Sequence, residues 1–200
     1  MRRARFLLTL VFLSTILLVA QLVWAADTIK IGTILATSGR FAFLGDPEQK
    51  GVELAVAEIN EKGGVLGRKL ELVSYNDEGN PAKTASLIDR LFRKDKVMGV
   101  IGASTSGTIH VVANAAEAAK KPQFYISGNS SVCKGKKWVF NAAPADELDA
   151  AGMVEFLRDN LKVKKIGIIH DANEYGSRSA ESFSQIMGKM APEIEIVRVE

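Results

Sequence analysis

Strand-like and helix-like segments alternate along residues 28–199 with few interruptions, and no other feature restricts the fold as tightly. Residues 28–35 are rich in β-branched side chains and read as a strand. Residues 45–61 read as a helix, with Asp46 as N-cap, Pro47 at the first helical position and Gln49 at capping-box spacing. Gly63-Gly64 stops it. A second strand is predicted over 70–75, and Asn80-Pro81 starts a second helix that runs to Lys94 with Leu87, Ile88 and Leu91 on one face. A short buried strand follows over 97–101, then an alanine-rich helix over 108–120 ended by Pro122, and a fourth strand over 123–126. Residues 127–137 are polar and aperiodic. The rhythm returns after Trp138-Val139-Phe140, with helices over 146–161 and 175–190 and strands over 165–170 and 194–199. Strands joined by helices of ten or more residues imply right-handed βαβ crossovers and mostly parallel sheets flanked by helices. The class is α/β, and the irregular stretch up to Pro144 predicts a second sheet for the later strands. Because the last strand runs to Glu200 without a closing helix, the chain reads as cut short.

The start of the chain has another character. Arg2, Arg3 and Arg5 precede an apolar run over 6–23, and Val23-Trp24-Ala25 places small residues at the positions a signal peptidase inspects. This is an export signal over 1–25 with cleavage after Ala25. It removes three of the 26 basic residues and none of the 23 acidic ones, so the mature chain is formally neutral. The formal net charge of +3 belongs to the signal and gives no support to a nucleic-acid partner. Cys133, the single cysteine, has no mate and reads as inert.

In an open parallel sheet, ligands bind where loops and helix N-termini converge at the carboxyl ends of the strands. Three loops expected there are small and hydroxyl-rich: residues 36–39, 102–108 and 127–131. Glycines let backbone N–H groups approach, hydroxyls donate, and helix N-termini add positive potential, a set that suits a carboxylate. For any single loop, turn and capping roles explain the same residues. Enzymatic readings find less. Gly102 and Gly107 have phosphate-loop spacing, but Thr108-Ile109 stands where Lys-Ser/Thr is needed. No serine sits in a Gly-x-Ser-x-Gly elbow. His110 falls within a helix and His170 beside Asp171 is an isolated pair, so both read as structural. Asp77 and Glu78 suit turn and capping roles. No cofactor or metal is expected.

Six segments carry a resemblance: DTIKIGTILATSGRFAFLG (27–45), AVAEINEKGGVLGRKLELV (55–73), YNDEGNP (75–81), VIGASTSGT (100–108), VFNAAPAD (139–146) and KIGIIHDANEYG (165–176). Together, in this order, they resemble the periplasmic solute-binding proteins of branched-chain amino acid ABC transporters, with the type I periplasmic binding fold. The resemblance implies two lobes that close on a ligand by a hinge, here 26–142 and a truncated 143–200. It implies a non-enzymatic, periplasmic receptor, monomeric at full length, that delivers an amino acid or other small carboxylate to a membrane permease. Residue by residue, Ser106 matches the hydroxyl that binds the ligand α-carboxylate, and Thr108 lies in the same loop. Asn129 matches the position whose carbonyl receives the α-ammonium, Ser131 the hydroxyl residue beside it, and Tyr175 the tyrosine that closes over the ligand. Leu44 stands where an aromatic often flanks the ligand side chain, with Phe41 and Phe43 close by. The acidic partner of the ammonium falls beyond Glu200, and the disulfide of some members has no counterpart. The same fold as the sensory module of a receptor is the alternative reading.

Overall fold

The computed structural model describes residues 28–200, and the export signal read over 1–25 lies outside them. Five strands form one sheet, all parallel: β1 (Ile29–Leu35), β2 (Leu70–Asn76), β3 (Gly99–Gly102), β4 (Gln123–Tyr125) and β5 (Val139–Asn141), in the order β2-β1-β3-β4-β5. Three helices connect the first four strands: α1 (Ala42–Glu61), α2 (Pro81–Arg93) and α3 (Ser106–Ala119). β1 lies inside the sheet, with Ile31 opposite Leu72 on one side and Gly99 on the other. Ile34 and Val100 point into a core completed by Ile88 and Leu91 of α2, Ile109, Val112 and Ala116 of α3, and the fully buried Tyr125. Burying side chains of this size stabilises by roughly 1.5–3 kcal/mol each before entropy is charged.

Local start signals succeed where nothing larger competes. Asn80 caps α2, its Oδ1 accepting from the amides of Ala82 and Lys83 at 2.9 and 3.1 Å, with Pro81 at the first position. At α1 they fail. The helix begins at Ala42 behind a 3₁₀ turn at Gly39–Phe41, so Asp46 is not the N-cap and Pro47 lies inside the helix. The reason is packing on the turn after β1, where a Cβ on Gly45 would stand only 2.4 Å from the carbonyl oxygen of Ala36. That contact sets the helix against the strand one turn before the cap signals. Asp46 instead binds Lys50 at 2.7 Å, and Gln49 accepts from the Thr33 hydroxyl at 2.8 Å.

β5 joins the first sheet, and the polar segment before it contains a 3₁₀ turn at Ser130–Cys133. The remaining strands, β6 (Lys165–Ile168) and β7 (Glu195–Val199), form a separate parallel pair. Their helices are α4 (Asp146–Glu155), which runs on as a π turn at Phe156–Asn160, and α5 (Glu174–Met190). Val154, Met187, Ala191 and Ile194 make this second core. β6 ends at Ile168, so His170 lies beyond the strand, its amide bonded to the Glu200 carbonyl at 2.7 Å.

Candidate functional site

The two sheets meet through the loops at the carboxyl ends of their strands. Arg40, after β1, reaches Asp171, after β6, at 3.0 Å. His110 Nε2 on α3 lies 3.0 Å from Glu174 Oε1 in the first turn of α5. Arg178, one turn further along α5, donates to the Ser131 hydroxyl. The edge where a parallel sheet binds ligands therefore faces its counterpart on the second sheet.

Most hydroxyls of this edge are spent inside their own loops. Asn76 Nδ2 donates to Ser38 Oγ at 2.6 Å. Ser104 Oγ accepts from the Ala36 amide at 3.1 Å and donates to Glu48 at 2.6 Å. Thr108 is fully buried; its hydroxyl donates to the Thr105 carbonyl at 2.9 Å and accepts from the Thr105 amide at 3.3 Å, closing a capping box. Thr108 thus holds the start of α3 rather than facing outward. Ser106 differs. It occupies the first position of α3, is 5% exposed, and its hydroxyl has no protein partner among the described residues. A free hydroxyl beside a helix N-terminus can donate to an anion.

Asn129 is held by its side chain, whose Oδ1 accepts from the Ser131 amide at 3.2 Å and the Ser131 hydroxyl at 2.7 Å. Its carbonyl, the atom expected to receive an ammonium, accepts from the Tyr125 hydroxyl at 3.0 Å. Burial pushes that hydroxyl far above its ordinary pKa, so it remains a donor. Asn129 Nδ2 is buried and unpartnered.

Leu44 and Tyr175 stand at matching places. Each precedes a buried glycine packed on the turn after the first strand of its sheet, Gly45 against Ala36 and Gly176 against Asp171, where a Cβ would stand 2.1 Å from the Asp171 carbonyl oxygen. Tyr175 is 51% exposed and Leu44 half-buried. Tyr175 also borders an apolar hollow of about 610 Å³ beside β6, walled by Met153, Leu157, Ile166, Ile168 and Phe183. This hollow is lined by residues of the second unit alone, with His170, Asp171 and Ser179 at its polar side and neither Ser106 nor Ser131 in its wall.

Arg40, Arg178 and Glu174 are not singled out by the sequence, and Asp171 only beside His170, since it is the approach of the second unit to the first sheet that pairs them across. Burial holds the Glu48 carboxyl above the ordinary carboxylate range, opposed by the Ser104 hydroxyl and reinforced by the charge of Asp77. The histidines hold no metal site: His170 Nδ1 faces the backbone oxygen of Asp171, and no group of three or more His, Cys, Asp or Glu among the described residues could hold a metal ion.

This arrangement has counterparts among known proteins. The family profile described as periplasmic binding protein matches residues 28–199. The chain belongs to the periplasmic binding protein family. Within it, the Leu/Ile/Val-binding protein homolog 3 of Brucella melitensis is 30% identical over 163 residues, which are 80% of this chain and 44% of the relative. The chain thus spans less than half the length of that curated relative. A branched-chain amino acid transporter substrate binding protein from Streptococcus pneumoniae, solved in complex with isoleucine, is 31% identical with a TM-score of 0.77, covering 87% of this chain and 49% of its own. A solute binding protein of an ABC transporter from Rhodopseudomonas palustris, in complex with 3,4-dihydroxybenzoic acid, shares the fold at a TM-score of 0.75 and 22% identity over 86% of this chain and 47% of its own. The parallel sheets flanked by helices are those of a type I periplasmic binding protein. Members of the family are substrate-binding proteins.

Proposed function

We propose that this chain is the ligand-capturing part of a periplasmic receptor for a small carboxylate, which it hands to a membrane ABC permease without chemical change. The first lobe spans residues 26–142 and the second begins at 143, with ligand held between them and the export signal delivering the protein to the periplasm. The observation that carries the reading is Ser106, a residue only 5% exposed whose hydroxyl has no protein partner among the described residues, at the start of a helix, on the edge where the two sheets meet. Leu44 and Tyr175, at matching places on the two units, flank the apolar part of the ligand, while Asn129 and Ser131 line its polar end. Branched-chain amino acids lead the ligand classes because relatives carry those names, with aromatic acids next on the strength of shared fold.

Titration with leucine, isoleucine, valine and 4-hydroxybenzoate tests this directly. Binding should raise the melting temperature with ligand concentration, by roughly 2.7 kcal/mol of stabilisation at a hundredfold excess over Kd. No shift with any of them would remove the transport reading. Ser106→Ala should weaken binding by about 1–3 kcal/mol with the unliganded melting temperature unchanged, and equal affinity would take Ser106 out of the site.

A further inference from the structure

We propose that Arg178, acting with Asn129, forms a charged subsite for a ligand carboxylate, so that the receptor selects anions through a guanidinium as well as through hydroxyls. The inference rests on the receptor reading above and assigns a group that the hydroxyl loops alone do not supply.

Two independent features converge on Ser131. From the second unit, Arg178 extends across from α5 and donates one N–H to the Ser131 hydroxyl. Arg178 makes no ion pair with any carboxylate of the described residues. The charge of Arg178 reaches Asp146, which accepts from Ser179 at 3.4 Å, while Glu147 accepts from Ser130 at 3.3 Å and Glu174 contacts His110 at 3.0 Å. A guanidinium carries five N–H donors in a planar fork, and a single hydroxyl leaves most of them to solvent or ligand. From the first unit, Asn129 is 6% exposed and its Nδ2 has no partner, while its Oδ1 is fixed by Ser131. A buried amide donor without a partner favours an acceptor that can reach it.

Ser131 Oγ links the two, donating to Asn129 and accepting from Arg178. The donors left over on both sides of that link, an amide N–H₂ and a cationic fork, are the complement of a carboxylate's two oxygens. Because Arg178 belongs to α5 and Asn129 to the loop after β4, a carboxylate bound by both would join the two units, making closure depend on the charge of the ligand. Arg178 is exposed and outside both cores, so replacing it leaves the fold in place.

The test is calorimetric titration of the wild-type protein, Arg178→Gln and Arg178→Lys with leucine and with 4-hydroxybenzoate. Arg178→Gln should bind the preferred acid about ten- to a hundredfold more weakly, the loss of one charged hydrogen-bonding partner. Arg178→Lys should recover part of that loss, because it restores the charge without the fork. All three should share one unliganded melting temperature. An acid bound by the wild type and equally well by Arg178→Gln overturns the subsite while leaving the receptor reading intact. So does Arg178→Lys as weak as Arg178→Gln, which would make the effect one of shape. Failure of the wild type to bind either acid overturns both readings together.

Discussion

Residue by residue, the carboxyl edge of the first sheet separates hydroxyls that build the loops from those left to act. Ser104, Thr105 and Thr108 are consumed by backbone and carboxylate partners, whereas Ser106, two positions from each of the outer pair, is not. The sequence presents all of them alike, since their difference lies in which partner each reaches. Glu48 shows the cost of one such partnership. Its carboxyl accepts from Ser104, and partial burial holds its pKa above the ordinary 4.5. A carboxyl raised in the folded state contributes stability at low pH that is lost as pH rises through its folded pKa. Glu48→Gln keeps an acceptor for Ser104 and removes that ionisation. Its melting temperature should match the wild type at pH 4 and exceed it at pH 7, as melts at the two values would read. A difference independent of pH would mean that Glu48 does not titrate against folding.

At the scale of elements, the helix that follows the first strand of each sheet is seated by a glycine on the turn between them. Gly45 and Gly176 let α1 and α5 approach the backbone at Ala36 and Asp171 closer than any side chain allows. This seating carries Leu44 and Tyr175 to their places and moves the start of α1 ahead of its cap signals. The boundary at Asp46 was misread because capping contributes about 1 kcal/mol, less than the packing of a twenty-residue helix on a sheet. Gly45→Ala should therefore destabilise by about 1–3 kcal/mol through overpacking, despite the better helix propensity of alanine. It should also weaken ligand binding by displacing Leu44. Chemical denaturation measures the first effect, and an unchanged midpoint would show that the turn yields without cost.

For the whole molecule, the pairs Arg40–Asp171 and His110–Glu174 bridge the two sheets on the side where ligand is proposed to bind. Arg40–Asp171 is an exposed ion pair of the kind that contributes about 0.2–1 kcal/mol and weakens with salt, and His110–Glu174 is a half-buried contact beside it. If the two units close on a ligand as proposed, contacts of this strength bias closure without locking it. Asp171→Asn with Glu174→Gln should increase the unliganded radius of gyration in small-angle scattering and weaken ligand binding by at most about tenfold. Identical scattering curves would show that other contacts hold the arrangement.

The sequence by itself determined the class of the fold, the order of the strands and helices other than β5, the separation of the last two strands from the first sheet, and the loops at the carboxyl edge. These follow from periodicity and turn chemistry, which act between near neighbours and are written locally. Ser106, Asn129, Ser131, Leu44 and Tyr175 are candidates by motif resemblance, which also implies a role for each. The tertiary structure decided which hydroxyl is free, that Thr108 is a cap, that the Asn129 carbonyl is engaged by Tyr125, and that Arg178 stands over Ser131. Those outcomes depend on groups up to 68 residues apart, such as Ala36 and Ser104. Hydrogen bonds are satisfied by whichever partner the fold brings within about 3 Å, and no local pattern specifies that partner.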